Sequence, residues 1–518
     1  MGIRLTVQWL TQQTTALPKT QAFAPSAQGS FFGASTQGGY SMLTLDQTPT
    51  SSEMSGITRV AGTVKVRIFP AFDNLMLRQL YLIEAVGEYG RMRSANRALI
   101  QPKSFAYYGI IYDEPITAAW TAGLTSLSGP VHLNMRKPGT ETVDPTALQN
   151  IYWNNTNPIF LHNQPDYLTI AGTKDQIAWR GAGGTIQTPA EANWPSIAVA
   201  GVEPTYNVPM IRFPSTAVPV ADAVLGAVAA PTGVGVTLPN SGVTATGGIY
   251  VLGNVQNLTL STGGAGDTQQ IATIDQTTTL AKLRSVVTID RAANTTRLQV
   301  STAPLTSTTY VSVSDVTLSG ATNGALFVNG NIGDTSTGTG GLSGTIANNV
   351  MSGSTLRTRS ALTIATPPDK TVQLVGGVVC KNLVTGGDAT NPQSTATATN
   401  ATSGTFGLVA GNVTIVRQDK AGRELGEVGL HGALLSMGEF SVVDYATRPA
   451  GNFRFIGSYA VRKQNPMGTF NTATMTRISG FNTARTYDSR LADSPPPAFP
   501  DTNDYKVLSY QADMPVMP

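Results

Sequence analysis

The chain has 518 residues but a single cysteine, three histidines, and charge at only 13% of positions. One cysteine, Cys380, excludes an internal disulfide framework. It closes the apolar run Val378-Val379-Cys380, the setting of a small buried hydrophobe. The histidines, His132, His162 and His431, are scattered, with no cysteine partner and no His-x-x-x-His pair, so zinc-ligand spacing is absent and neither a metal nor a cofactor is expected. No run of about twenty apolar residues suits a membrane span, and no signal peptide opens the chain. The low charge leaves a surface of Thr, Ser, Asn, Gln and Gly, as in many secreted β proteins and filament proteins. The formal net charge of +3 is too small to announce a nucleic-acid binder; DNA binding would need a local patch.

What is present is organised around residues 220–420, long, poor in charge, and rich in Gly, Thr, Ser, Asn and Val. One phrase occurs there three times: Tyr250-Val251-Leu252-Gly253-Asn254-Val255, Phe327-Val328-Asn329-Gly330-Asn331-Ile332, and Leu408-Val409-Ala410-Gly411-Asn412-Val413. A β-branched residue suits a pleated surface, and Gly-Asn tolerates the positive φ of a tight corner. Short strands alternating with sharp corners over this length predict a coil of stacked rungs, a β-solenoid. Val286-Val287-Thr288-Ile289, Leu298-Gln299-Val300 and Tyr310-Val311-Ser312-Val313 read as further short strands of this stretch. The phrases recur at about eighty residues, too far for single rungs, so the pattern predicts repetitive architecture without a clean period. Residues 335–341 and 395–403 lack apolar anchors and read as mobile loops.

The chain opens with Ile3, Val7 and Leu10 at helical spacing and no N-cap, as the tail of a longer helix. Residues 18–56 read as an irregular loop. Strands follow at residues 63–69 and 79–87, the second pairing with residues 91–99 across Glu88-Tyr89-Gly90. Charge returns after Lys420, with strands at 430–435, 440–443 and 453–461, and a proline run at 494–500 that cannot lie inside a sheet. The expected architecture is mainly β with an α+β host. Residues 1–125 and 436–518 form the host domain, an N-terminal helix plus an antiparallel sheet, and residues 126–435 form the inserted solenoid.

Residues 104–109 (Ser-Phe-Ala-Tyr-Tyr-Gly), residues 128–134 (Ser-Gly-Pro-Val-His-Leu-Asn), and Tyr487-Asp488-Ser489-Arg490-Leu491 followed by Pro495-Pro496-Pro497-Ala498-Phe499-Pro500 resemble segments of the large competence-associated minor pilins of thermophilic and radiation-resistant bacteria. That resemblance implies a type IV pilin or type II secretion pseudopilin fold with a β-solenoid in its sheet. It also implies a place at the tip of a competence pilus on the cell surface, with inner-membrane anchoring before assembly. The partners implied are a smaller minor pilin and extracellular double-stranded DNA taken up in natural transformation. The family's hydrophobic N-terminal helix, which makes the membrane contact, is missing from these residues.

The candidate DNA-binding residues are the basic side chains at the borders of the central stretch: Lys137 and Lys174 on one side, Lys370, Lys381, Arg417 and Lys420 on the other, then Arg462 and Lys463. If the coil interrupts its host, these residues share the junction, and a cationic groove there holds a phosphate backbone without reading sequence. Acidic neighbours, among them Asp369, Asp419, Glu424 and Glu427, are the reason to read them instead as an ordinary solvated surface. Asp267, Asp275, Asp290, Asp315 and Asp334 are isolated, Gly181-Ala182-Gly183-Gly184 lacks the Lys-Ser/Thr of a phosphate loop, and no enzyme activity is expected. The rival reading is a structural adhesin or filament subunit whose Thr/Asn-rich solenoid meets surfaces or glycans.

Overall fold

A computed structural model describes Ile3 and residues 36–37, 40–47, 60–73, 78–89, 92–116, 119–181, 184–187, 194–383, 402–419 and 422–514, and the chain is mainly β. It divides into two units, residues 1–103 with 501–518, and residues 104–500.

The smaller unit is a six-stranded sheet in the order Thr36–Gln37, Tyr40–Gln47, Val60–Asp73, Arg78–Tyr89, Met92–Ser104 and Asp501–Met514, so both chain ends contribute. The hairpin expected across residues 88–90 is present, with Tyr89 opposite Met92 and Tyr81 opposite Ile100. Val66, Ile68, Ile83, Val86, Ala95, Ala98 and Ile100 are buried. Within this core Arg97 sits opposite buried Glu84 and bonds it at 3.1 Å. Two strands lie where a loop was expected. The backbone of residues 40–47 pairs antiparallel with Val60–Asp73, from Ser41 opposite Val66 to Gln47 opposite Val60. Apart from Ile3, which is helical, the N-terminal helix lies outside the described residues.

The larger unit is built on one ladder of ten parallel strands. In spatial order these are Ile249–Leu252, Ala325–Asn329, Ala361–Ala365, Thr405–Ala410, Glu427–Val442, Gly451–Gln464, Ile110–Tyr112, Val131–Leu133, Leu168–Ile170 and Thr205–Tyr206. The chain therefore enters in the middle of the stack. It first builds outward to Thr205–Tyr206, and residues 207–248 then carry it back to the other end. From Ile249 it stacks inward until Tyr459-Ala460-Val461 pairs with Ile110-Ile111-Tyr112. The entry and exit of the segment meet, with the Phe105 N–H donating to the Pro500 carbonyl at 3.1 Å. The return segment includes the helix Val218–Leu225, whose Val220 and Val224 join Phe105, Ile211, Tyr250 and Phe327 in an apolar layer.

These pairings redraw the expected boundaries. Residues 104–125 and 436–500, assigned above to the host, belong to the larger unit because their strands continue its parallel ladder. The strands expected as rungs at residues 286–289, 298–300 and 310–313 belong to an antiparallel meander, Asn257–Gly263, Gln269–Thr277, Lys282–Asp290, Thr295–Ala303 and Val311–Ser319. Its connections are tight: Asp267 adopts φ 57°, and the Asp290 carboxylate accepts the N–H groups of Ala292 and Ala293. Residues 335–341, expected to be mobile, form a turn held by the Asp334 carboxylate, which accepts the Ser336 N–H at 2.9 Å.

The three Gly-Asn phrases share one corner of the stack. The Asn254 side-chain oxygen accepts the Asn331 N–H, that of Asn331 accepts the Thr371 N–H, and that of Asn412 accepts the Glu439 N–H, at 2.8–2.9 Å. The glycines serve close approach more than turn geometry. Only Gly253 of the three has positive φ, whereas a Cβ on Gly330 would overlap the Gly253 carbonyl and one on Gly411 the Pro368 carbonyl. The spacing near eighty is also resolved. Asn254 and Asn331 are adjacent in the stack because the meander is spliced between them, while an additional rung through Thr371 separates Asn331 from Asn412.

Candidate functional site

Of the eight candidate DNA-binding residues, Arg462 and Lys463 come together with the segment preceding Lys137, and they meet carboxylates there. The Arg136 guanidinium donates to Asp113 at 2.7 Å and to Glu114 at 3.3 Å, Arg462 lies 3.6 Å from Asp113, and Lys463 pairs with Glu439 at 2.5 Å. Three cations thus face three carboxylates. Lys370 pairs with Asp369 at 2.6 Å, Lys381 with Asp267 at 3.3 Å, and Arg417 with Glu424 at 2.6 Å and Asp444 at 3.4 Å. Lys137 and Lys174 are exposed, and Lys420 lies outside the described residues. The described seven all belong to the larger unit. Five of the described seven, Lys370, Lys381, Arg417, Arg462 and Lys463, therefore face carboxylates within the larger unit.

The network at Asp113 is deeply placed. Asp113 Oδ1 accepts from Asn134 Nδ2 at 2.7 Å, and the Asn134 oxygen accepts the Ile211 N–H at 2.7 Å and faces His132 Nε2 at 2.9 Å. Burial raises the Asp113 pKa above the usual carboxylate range, opposed by the Asn134 hydrogen bond and the Arg136 charge.

The histidines engage separate partners: His132 faces Thr169, His162 faces Asp166, and the His431 ring accepts the Cys380 N–H through Nδ1 at 3.2 Å. Burial pushes the Cys380 thiol up to about 12 and His431 down to about 4. With an unfolded value near 6.5, His431 is protonated in the unfolded chain but not in the folded one between those limits. Its contribution is complete above about pH 6.5 and is lost as the pH falls to 4, an effect of roughly 3 kcal/mol. Denaturant midpoints measured from pH 7 to pH 4 should show this decline, and His431→Gln should flatten it; an equal slope in both chains would assign the decline elsewhere.

A cavity of about 420 Å³, within the range of small-molecule sites, opens in the larger unit beside the strands Ile110–Tyr112 and Gly451–Gln464. Tyr112, Trp120, Tyr152, Phe470, Arg477 and Arg485 are in its lining. Arg485 occupies an interior position of a parallel column that runs Phe455, Arg485, Leu127, Phe160, Ala198. It is 5% exposed. Its guanidinium carbon lies 4.3 Å from the Tyr459 ring centroid, Nη1 donates to the Tyr112 hydroxyl, Nη2 lies 3.6 Å from the Met467 sulfur, and Nε has no partner. Burial raises both Tyr112 and Tyr459 above the ordinary tyrosine value, so neither supplies the charge that would balance Arg485. Sequence reasoning passed over this residue. The signal was its phase, since Phe481, Thr483 and Arg485 are the buried alternates of Thr476–Thr486.

The segments that carry the family resemblance pack against one another. The Tyr487 N–H donates to Ser128 Oγ at 2.6 Å, the Tyr487 hydroxyl to the Tyr107 carbonyl at 2.6 Å, and Ser104 Oγ to the Pro500 carbonyl at 3.2 Å. No family model matches the sequence, and no curated protein matches it. Among solved structures the chain is similar to the crystal structure of the competence-associated pilin ComZ from Thermus thermophilus, at 11% identity and a TM-score of 0.27, over 99% of this chain and 94% of that one.

Proposed function

We propose that the larger unit is a β-solenoid carried by a pilin-like domain, and that the chain is a non-enzymatic binding subunit of a pilus or related surface filament, meeting a surface or a glycan. The observation that carries this reading is the parallel stack with its Asn corner, whose candidate phosphate-binding cations are mostly matched by carboxylates. The sequence resemblance to large minor pilins supports the filament. Filaments sheared from cells should carry the chain, and the purified chain should give no DNA mobility shift at physiological salt. Its absence from the sheared fraction would end the filament reading.

A second reading, a DNA receptor at the tip of a competence pilus with a smaller minor pilin as partner, is favoured by exposed Lys137 beside Arg136 and by Arg462, which reaches the Asp113 carboxylate that Arg136 also bonds. It predicts a shift that weakens steeply with salt and is lost on charge reversal at Lys137 and Lys463.

A further inference from the structure

We infer that the cavity at Arg485 receives the carboxylate of an acidic sugar residue, a uronic acid of a surface polysaccharide. The inference rests on reading the chain as a glycan-contacting protein and names the ligand class. A guanidinium taken out of water needs a counterion or a full set of acceptors. Arg485 has neither: its hydrogen-bonding partners are one phenol and one thioether, and Nε is unpartnered. The cavity lining holds no Asp or Glu among the described residues, so the charge is unbalanced there until an anion enters. The planar fork of arginine matches a carboxylate through two parallel N–H donors.

The rest of the lining selects a sugar over a simple anion. Trp120, Tyr152 and Phe470 supply ring surface of the kind that covers the C–H face of a pyranose, with Tyr152 and Phe470 edge-to-face at 5.7 Å. Hydroxyl and amide groups of the lining, from Thr121, Thr125, Gln464 and Asn465, are of the type that bonds sugar hydroxyls. Thr121 Oγ1 is itself buried without a partner. Two orphaned polar groups, one cationic and one neutral, therefore border the same cavity, as a carboxylate and a hydroxyl on one ring require.

The test uses the full chain, titrated with glucuronic acid, glucose and inorganic phosphate and followed by calorimetry and tryptophan fluorescence. Glucuronate should saturate the site, with glucose and phosphate each at least about tenfold weaker. Arg485→Met, which leaves an apolar side chain in an apolar column, should keep the fold by circular dichroism and weaken glucuronate by about 10- to 100-fold while leaving glucose unchanged. Phe470→Ala should weaken glucuronate and glucose alike. Glucose binding as well as glucuronate would overturn the carboxylate assignment, and phosphate binding more tightly than glucuronate would overturn the sugar. If Arg485→Met fails to fold, Thr121→Val provides the check: an unchanged glucuronate affinity would remove the site. Glucuronate binding by a chain missing from sheared filaments would leave this site standing and remove only the filament reading; filament attachment without glucuronate binding would do the reverse.

Discussion

Replacing Gly457 with alanine is expected to destabilise the larger unit by about 3–5 kcal/mol. Gly457 stands opposite Gly432 in the parallel ladder, with φ of 145° and 148°. Neither conformation suits an L side chain. A Cβ on Gly457 would overlap the Gly432 carbonyl oxygen, and one on Gly432 would overlap the Phe406 carbonyl oxygen. The obstruction is backbone, which cannot rotate aside as a side chain can. The strand Gly451–Gln464 also carries Tyr459, Ala460 and Val461, which close the stack against Ile110, Ile111 and Tyr112. Displacing it therefore loosens the place where the two arms of the chain meet. Gly376 supplies the control: its φ is 96° but nothing lies within 4 Å of an added Cβ, so Gly376→Ala should cost only the conformational term, roughly 1–2 kcal/mol. Denaturant midpoints compare the two, and equal losses would mean that the crowding at Gly457 relaxes freely.

Asp113→Ala is expected to cost about 3–5 kcal/mol, the loss seen when one partner of a buried ion pair is removed. The Asp113 side chain is 2% exposed and that of Arg136 10%. Asp113 also accepts from Asn134, which in turn holds the backbone of Ile211 in the return segment. The raised pKa of Asp113 shows that burial outweighs its favourable contacts, so the intact pair contributes little net stability. The large loss comes from the guanidinium and amide left behind. Glu439→Ala removes a half-exposed partner of Lys463 and should stay within about 1 kcal/mol. A double-mutant cycle with Arg136→Ala separates the explanations. Strong coupling supports the paired network, and additive losses would place the cost in packing around Asp113.

The site divides along the same line as the fold. The basic residues could be picked out in the sequence, but not every partner could, because Arg462 meets Asp113 and Lys381 meets Asp267 only through rungs that are distant in the chain. Acidic neighbours in sequence gave a partial warning. Asp369 beside Lys370 and Glu424 near Arg417 did become ion pairs. Arg485 is the opposite case. Its phase within its strand was legible, but the absence of a carboxylate around it was not.

By itself the sequence determined that the chain is β-rich, that the Gly-Asn phrases mark a repeated feature of the central stretch, and that residues 63–69, 79–87 and 453–461 are strand-forming; these follow from local alternation and turn chemistry. The tertiary structure alone decided that the strands at residues 282–319 pair antiparallel while Ile249–Leu252 pairs parallel with Ala325–Asn329, that the chain enters its stack in the middle, and that the return segment covers one face. The physical reason is that a ladder is joined by backbone N–H and C=O groups, which every residue but proline carries alike. Side-chain pattern marks a segment as a strand; which strand becomes its neighbour is settled by the packing of the whole core.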